Sequence, residues 1–149
     1  MKCLIEWEPS DVLSICDKPL LFAWFADFAW QKGLVAERKN VAALLVSREY
    51  AGETLLAPTL ANPHIQSDSV VETAMVFLKL KRVCTGWQGP AAVDRVLFTL
   101  IPGDPVASDI EPLKDLYHRL ACDEAMRKIA TGPLSDVEDV LRPDGDSGW

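Results

Sequence analysis

Two long apolar segments in the middle of the chain constrain its fold more than any other feature. Residues 70–83 and 93–101 show the alternation of a β-strand, and toward the middle of each segment both alternating faces are apolar. A strand that is apolar on both faces is typical of the centre of a sheet that is covered on two sides. The link between the segments, residues 85–90, is rich in turn-forming residues. The pattern therefore predicts two central strands of a covered sheet.

Segments with helical character lie before and after these strands. The first helix is predicted at residues 18–32, with Asp17 as its N-cap and Gly33 as its stop signal. Further helices are predicted at residues 37–49, 110–121, 123–130 and 135–141. This order predicts an α/β fold, a single-domain three-layer sandwich in which a mixed β-sheet is flanked by helices on both faces. We assign residues 1–142 to this domain and expect residues 143–149 to form a disordered tail.

The composition agrees with one globular domain and excludes several other classes. Of the 149 residues, 49% are apolar and 25% are charged, which is typical of a chain that buries a sizeable core. The formal net charge of −7 and the lack of a basic stripe argue against nucleic acid as a partner. The apolar run at residues 19–30 is too short to span a bilayer and contains Asp27, so we expect no membrane insertion.

The cysteines indicate the compartment. Cys3, Cys16, Cys84 and Cys122 lie far apart and form no Cys-x-x-Cys motif. No targeting segment is recognisable at the N-terminus, so we expect a cytoplasmic protein whose thiols are reduced and mostly buried. A zinc site would need further ligands nearby, and the chain has only two histidines, which favours structural thiols.

One histidine stands out as a candidate for chemistry. His64 follows Pro63, which fixes its own φ and pushes Asn62 toward an extended conformation, so the histidine is expected at a tightly directed strand or loop. A neutral histidine nitrogen can act as a nucleophile near neutral pH, and an arginine such as Arg48 can hold the oxygens of a phosphoryl group. The alternative is a loop histidine without chemistry and a solvated arginine that stabilises a helix C-terminus. From the residues alone, both interpretations remain open.

The segment from Arg48 to His64 resembles the active-site segment of type-2 enzyme IIA domains, the fructose- and mannitol-like branch of the bacterial sugar phosphotransferase system. The matching residues are Arg48, Glu49, Gly52, Thr54, Leu56, Leu60, Ala61, Pro63 and His64. Downstream, residues 93–102 resemble a family strand that begins with Val-Asp and ends in proline. Asp123 and Glu124 resemble the start of the family's next-to-last helix, and residues 134–141 its last. The resemblance covers nearly the whole chain and implies the same α/β architecture.

The resemblance implies a phosphocarrier. His64 would accept a phosphoryl group from the histidine phosphocarrier protein and pass it to an enzyme IIB partner, without a metal or other cofactor. Arg48 would neutralise the phosphoryl oxygens. Thr54 and Asn62 are expected to donate hydrogen bonds to these oxygens or, alternatively, to stabilise their turns, and Pro63 supports the site.

Three departures from the family pattern surround this histidine. Ile65 stands where the family usually has a small residue, and we expect its β-branched side chain to crowd the approach of a partner or phosphate. Asn62 replaces a hydrophobic residue. The second histidine that the family usually carries is absent from residues 108–112, and His118 lies too far into the next helix to replace it. Either the crowding or the missing histidine is expected to slow transfer.

Other roles stay open at this point. A standalone member of the family, nitrogen-type or degenerate, can act by binding other proteins, with or without phosphorylation. The first predicted helix is apolar over most of its circumference, which indicates core packing or, as a second interpretation, a homo-oligomer contact through Phe22 or Trp30. The sequence does not identify a sugar.

Overall fold

A computed structural model of the protein describes residues 1–12, 17–52, 54–85, 87, 89 and 91–143. The strands are β1 Lys2–Trp7, β2 Leu55–Ala57, β3 Leu60–Ala61, β4 His64–Ser67, β5 Ala74–Thr85 and β6 Ala92–Pro102. The α-helices are α1 Lys18–Gln31, α2 Val41–Ala51, α3 Ala107–Leu120, α4 Asp123–Thr131 and α5 Leu134–Leu141. A short 3-10 helix at Ser10–Val12 precedes α1.

Within these residues the strands form one six-stranded mixed sheet. β5 and β6 are antiparallel neighbours near its centre, with Val76 opposite Phe98. β1 lies parallel to β5 on one side. On the other side β3 and β4 both lie parallel to β6, and β2 pairs antiparallel with β3. The two apolar segments of the sequence are thus the inner strands, as predicted.

Each face of the sheet carries its own helical layer. On one face α1 and α2 pack on the sheet, where the ring of Phe25 stacks on Phe98 with 3.8 Å between the ring centroids. On the opposite face Met75, Phe77 and Leu97 pack against α3, α4 and α5. The predicted single-domain three-layer α/β sandwich is therefore confirmed.

The predicted first two helices differ from the observed ones mainly at one end. α1 begins after Asp17, whose side chain accepts a hydrogen bond from Leu20 N at 3.0 Å, and it ends at Gln31, two residues before Gly33, which has a positive φ of 72°. α2 begins at Val41, not at residue 37; Arg38 precedes the helix and donates to Asp27 of α1 at 2.7 Å. The start predicted for this helix was therefore wrong.

Phe22 does not offer the oligomer contact that the sequence allowed. Its side chain is fully buried and meets the edge of Phe98 at 6.2 Å between ring centroids, so this part of the hypothesis is wrong. Trp30 is 45% exposed, and the Arg38 guanidinium lies 4.9 Å from its ring centroid. Oligomerisation through Trp30 stays a prediction.

The cysteines occupy different environments. Cys3 and Cys84 are buried, whereas Cys122 is exposed, and Cys16 lies outside the described residues. Burial raises the pKa of the Cys3 thiol to about 12, although Arg142 and Arg119 act in the opposite direction, so this thiol stays protonated at neutral pH.

Two further predictions concern the membrane and the C-terminus. In the part of the chain that the structure describes, no helix has the length and apolar character needed to cross a membrane. The predicted disordered tail falls almost wholly at residues 144–149, which lie outside the described residues.

Candidate active site

His64 is the first residue of β4, which continues the line of β3 along β6. Ala61 in β3 lies opposite Val96 of β6, and His64 in β4 lies opposite Thr99, so the two short strands run along β6 in one register. Asn62 and Pro63 form the interruption between them. Proline has no backbone N–H, but the Pro63 carbonyl still accepts from Thr99 N at 3.0 Å. Pro63 therefore holds the histidine at a fixed point beside a buried strand.

Arg48 and His64 are in direct contact, as the sequence predicted for a functional pair. Arg48 lies in the last turn of α2, and its Nε donates to His64 Nε2 at 3.1 Å. Its Nη1 also lies 3.4 Å from the carbonyl oxygen of Gly52. Both side chains are partly exposed, so this contact is open to a reactant from solvent.

The hydrogen bonds assign one tautomer to the His64 ring. Arginine can only donate, so His64 Nε2 must accept and carries the lone pair. The other ring nitrogen, Nδ1, lies 3.0 Å from the backbone carbonyl oxygen of Asn62, which can only accept. The proton of the neutral ring therefore lies on Nδ1, and Nε2 is the nucleophilic nitrogen.

Thr54 is buried and binds the end of α2 instead of pointing toward the histidine. Its hydroxyl donates a short hydrogen bond to the Glu49 carboxylate, whose second oxygen lies 3.3 Å from Lys18 Nζ. The Thr54 backbone carbonyl accepts from Asn62 N at 2.7 Å. Because the one hydroxyl hydrogen is already donated, the geometry does not agree with donation to a phosphoryl oxygen. It supports the alternative, stabilisation of the turn.

Asn62 also supports the site from behind. Its side-chain Nδ2 donates to the carbonyl of Leu97 at 2.6 Å and to Thr99 Oγ1 at 3.0 Å, so both amide hydrogens have acceptors. Its Oδ1 accepts from the hydroxyl of Tyr117 at 2.8 Å. The expected donation to phosphate does not fit this arrangement. The part of Asn62 that contacts His64 is its backbone carbonyl.

Tyr117 and Thr99, which hold the Asn62 side chain, were not predicted from the sequence. Tyr117 lies in α3 and its hydroxyl is 3.1 Å from Thr99 Oγ1. Burial raises the pKa of the Tyr117 hydroxyl, while its hydrogen bonds with Thr99 and Asn62 lower it in part. The signal in the sequence was Asn62 itself, since a polar residue at a usually hydrophobic position requires partners. His118, beside Tyr117, is exposed.

The expectation that Ile65 crowds the site is wrong. It is 5% exposed and belongs to the core between the sheet and the helices α1 and α2. Successive residues of a strand point to opposite faces, so Ile65 turns away from the His64 ring. The region without the second histidine, residues 108–112, forms the start of α3, where Asp109 accepts from Thr73 N at 2.9 Å.

A partly apolar cavity lies between α1 and α2. An open cavity of about 290 Å³ is lined by Lys18, Pro19, Phe22, Val46, Glu49 and Tyr50. Tyr50, two residues after Arg48, is 88% exposed, and Leu20 on α1 is 61% exposed. Exposed apolar side chains that stand singly are common on protein surfaces and do not mark a partner site by themselves.

Comparison with solved structures finds the same architecture in enzyme IIA proteins. The nitrogen regulatory protein IIA-Ntr from Neisseria meningitidis has a TM-score of 0.68 at 17% identity, over 93% of this chain and 92% of that chain. Enzyme IIA mannitol from Escherichia coli has a TM-score of 0.62 at 19% identity, over 92% of this chain and 94% of that chain. The Escherichia coli complex of enzyme IIA mannitol with phosphorylated enzyme IIB mannitol gives 0.62 at 17% identity, over 92% of each chain. These identities are low, so the likeness shows a shared fold.

Sequence comparison assigns the family. No curated protein sequence matches the chain. The family described as "Phosphoenolpyruvate-dependent sugar phosphotransferase system, EIIA 2" matches residues 12–142. The chain therefore belongs to this family of phosphotransferase-system components, and the predicted resemblance to type-2 enzyme IIA domains is confirmed.

Proposed function

We propose that this protein is a phosphocarrier that accepts a phosphoryl group on His64 Nε2 from a histidine phosphocarrier protein and passes it to an enzyme IIB partner. The observation that carries the proposal is the hydrogen-bond arrangement of the ring. Arg48 lies on Nε2, and the Asn62 carbonyl accepts the proton of Nδ1. The nucleophilic nitrogen and the cation that a phosphoryl group needs are thus side by side.

The transfer step follows from these contacts. The lone pair of His64 Nε2 attacks the phosphorus of the donor's phosphohistidine, and the donor's N–P bond breaks with its electron pair returning to the donor ring. As the new N–P bond forms, the Arg48 guanidinium exchanges its hydrogen bond to Nε2 for hydrogen bonds to the phosphoryl oxygens. His64 keeps its Nδ1 proton, so positive charge develops on the ring. The Asn62 carbonyl, 3.0 Å from Nδ1, stabilises this charge.

In the second transfer, the phosphoryl group leaves His64 Nε2 for an acceptor. Among the similar structures, one is a complex of enzyme IIA mannitol with phosphorylated enzyme IIB mannitol, which supports an enzyme IIB acceptor here. His64 and Arg48 are partly exposed, which supports a protein partner over a small molecule, because small-molecule sites are concave and enclose their ligand. The proposal includes a cytoplasmic location and requires no metal or other cofactor.

A regulatory role is the second candidate. The similar structure from Neisseria meningitidis is named a nitrogen regulatory protein, and a protein of that kind would use the same phosphorylation to control binding. Affinity capture with the unphosphorylated and the phosphorylated protein separates the roles. Retention of an enzyme IIB in the phosphorylated state supports transport, whereas retention of other proteins in one state only supports regulation.

The test of the proposal is phosphorylation by phosphoenolpyruvate, enzyme I and the histidine phosphocarrier protein, measured by intact mass. The wild-type protein is expected to gain one acid-labile phosphate, and His64→Ala is expected to gain none. His118→Ala is the matched control, since His118 is the other histidine and is exposed on α3. Phosphorylation of His64→Ala to the wild-type level would overturn the proposal.

A further inference from the structure

Three side chains behind the candidate active site form a closed cycle of hydrogen bonds. Tyr117 has one hydroxyl hydrogen and donates it to Asn62 Oδ1 at 2.8 Å. Asn62 Nδ2 donates to Thr99 Oγ1 at 3.0 Å. The 3.1 Å contact between Thr99 Oγ1 and the Tyr117 oxygen must therefore be donated by Thr99. Each member donates to the next, so every bond polarises the following one.

This cycle is anchored in the core of the protein. Asn62 is 5% exposed and Thr99 is fully buried, so neither can exchange these partners for water. Asn62 Nδ2 also donates to the Leu97 carbonyl at 2.6 Å, which ties the amide to β6. A rotation of the Asn62 side chain would leave several buried polar atoms without partners at once.

The cycle reaches His64 through the backbone of Asn62. The N–H of Asn62 donates to the Thr54 carbonyl at 2.7 Å, and its side chain is held on the opposite side by Thr99 and Tyr117. The following proline restricts the conformation of Asn62 further. The Asn62 carbonyl that accepts from His64 Nδ1 is therefore fixed in direction.

We propose that Tyr117 is a positioning residue that acts through Asn62 on His64, so that the hydroxyl of α3 keeps the Asn62 carbonyl on Nδ1 and leaves Nε2 as the nucleophile. Tyr117 does not touch the reacting atoms. Its effect on the transfer rate rests on the proposed function, whereas its effect on the tautomer is a property of the unphosphorylated protein. Through Tyr117, helix α3 thus influences which ring nitrogen of His64 reacts.

The test separates the carbonyl from the arginine, because both favour the same tautomer. In an Arg48→Ala background only the Asn62 carbonyl selects the Nδ1–H form, and heteronuclear NMR of the ring nitrogens reports the tautomer. His64→Ala identifies which of the two histidine spin systems belongs to His64. We expect Arg48→Ala combined with Tyr50→Phe to keep the Nδ1–H form, since the Tyr50 hydroxyl is exposed. Arg48→Ala combined with Tyr117→Phe is expected to show a mixture of tautomers.

Kinetics complete the test. With Arg48 present, Tyr117→Phe is expected to slow phosphorylation of His64 by about tenfold to a hundredfold relative to Tyr50→Phe, as a misdirected nucleophile would. The same tautomer in both double variants would overturn the inference, as would a mixture already present with Tyr50→Phe. A tautomer change in a protein that is not phosphorylated even as the wild type would sustain the positioning role and overturn the proposed function.

A second pair of variants decides the question if Tyr117→Phe does not fold. Thr99→Val replaces one hydroxyl of the cycle with a methyl group, and Thr99→Ser retains the hydroxyl. A mixture of tautomers in Thr99→Val but not in Thr99→Ser, again with Arg48→Ala, is the expected result. Identical tautomers in the two would overturn the inference.

Discussion

The two ring nitrogens of His64 are held by very different neighbours. Nε2 contacts the charged and partly exposed side chain of Arg48, which reaches it from the end of a helix. Nδ1 contacts a backbone carbonyl, that of Asn62, whose side chain is locked by buried neutral hydrogen bonds. A long charged side chain can follow an arriving group, whereas a buried amide cannot move without losing partners. Under the proposed function, the Arg48 side therefore receives the phosphoryl group, and the Asn62 carbonyl decides which ring nitrogen reacts.

Removing the charged side is expected to have the largest effect. Arg48→Ala should slow phosphorylation of His64 by about 100-fold to 1000-fold, because an electrostatic donor to the transferring oxygens is lost. The rate of mass gain at limiting phosphocarrier protein measures it. Arg82→Ala, which removes an exposed arginine from β5, is the matched control and should react at the wild-type rate. Equal rates for Arg48→Ala and the wild type would show that the Arg48 charge does not assist the transfer.

Ile65 separates packing from chemistry. Ile65→Ala should lower the free energy of unfolding by about 3 kcal/mol, because the side chain is buried in the core, and Ile65→Val should cost about 1 kcal/mol. Urea unfolding measures both. The transfer rate of folded Ile65→Ala should equal that of the wild type. Faster transfer would show that the isoleucine does limit the approach to His64.

Thr54 tests whether the end of α2 depends on the hydrogen bond from the Thr54 hydroxyl to the Glu49 carboxylate. Thr54→Val should lower the free energy of unfolding by about 2 kcal/mol, because the Glu49 carboxylate, only 9% exposed, loses a hydrogen bond. Thr54→Ser keeps the hydroxyl and should remain closer to the wild type in the same urea titration. If Thr54→Val were as stable as Thr54→Ser, the buried carboxylate would not depend on this donor.

The smallest effect is expected from alkaline pH, which acts on stability through the Tyr117 hydroxyl. Burial raises the pKa of Tyr117, although Thr99 and Asn62 lower it in part, so folding favours the protonated hydroxyl. Its contribution is complete below the unfolded pKa of about 10 and is lost as the pH rises through the higher folded value. The difference in unfolding free energy between the wild type and Tyr117→Phe should therefore shrink above about pH 10. A difference that grows with pH would contradict this assignment.

The sequence was sufficient for the centre of the fold and for the contact between Arg48 and His64. β5 and β6 carry a long apolar alternation, and Arg48 and His64 lie within one short stretch of chain, so local pattern and motif predict them. β1 was missed because it is only partly buried and its partner β5 lies far along the chain. The very short strands β2 and β3 give no periodic signal.

The support of the site was beyond the sequence for a related reason. Asn62 finds its partners at Leu97, Thr99 and Tyr117, which are distant in the chain and meet only when α3 packs on the sheet. Nothing in the local pattern distinguishes an amide that faces a ligand from one that faces the core. The direction of Ile65 was equally hidden, because it depends on which face of β4 meets α1 and α2.

The common register of β3 and β4 on β6 has a consequence for how this protein can vary in length. Three positions separate Ala61 from His64, and three positions separate their partners Val96 and Thr99. The two residues between Ala61 and His64 therefore match the length of the interruption, with no residue to spare. One inserted or deleted residue would rotate the rest of β4 by half a strand repeat. The histidine would then enter the core and the isoleucine would take its place at the surface. Substitutions at positions 62 and 63 change the support of the site, whereas a change in their number would remove it.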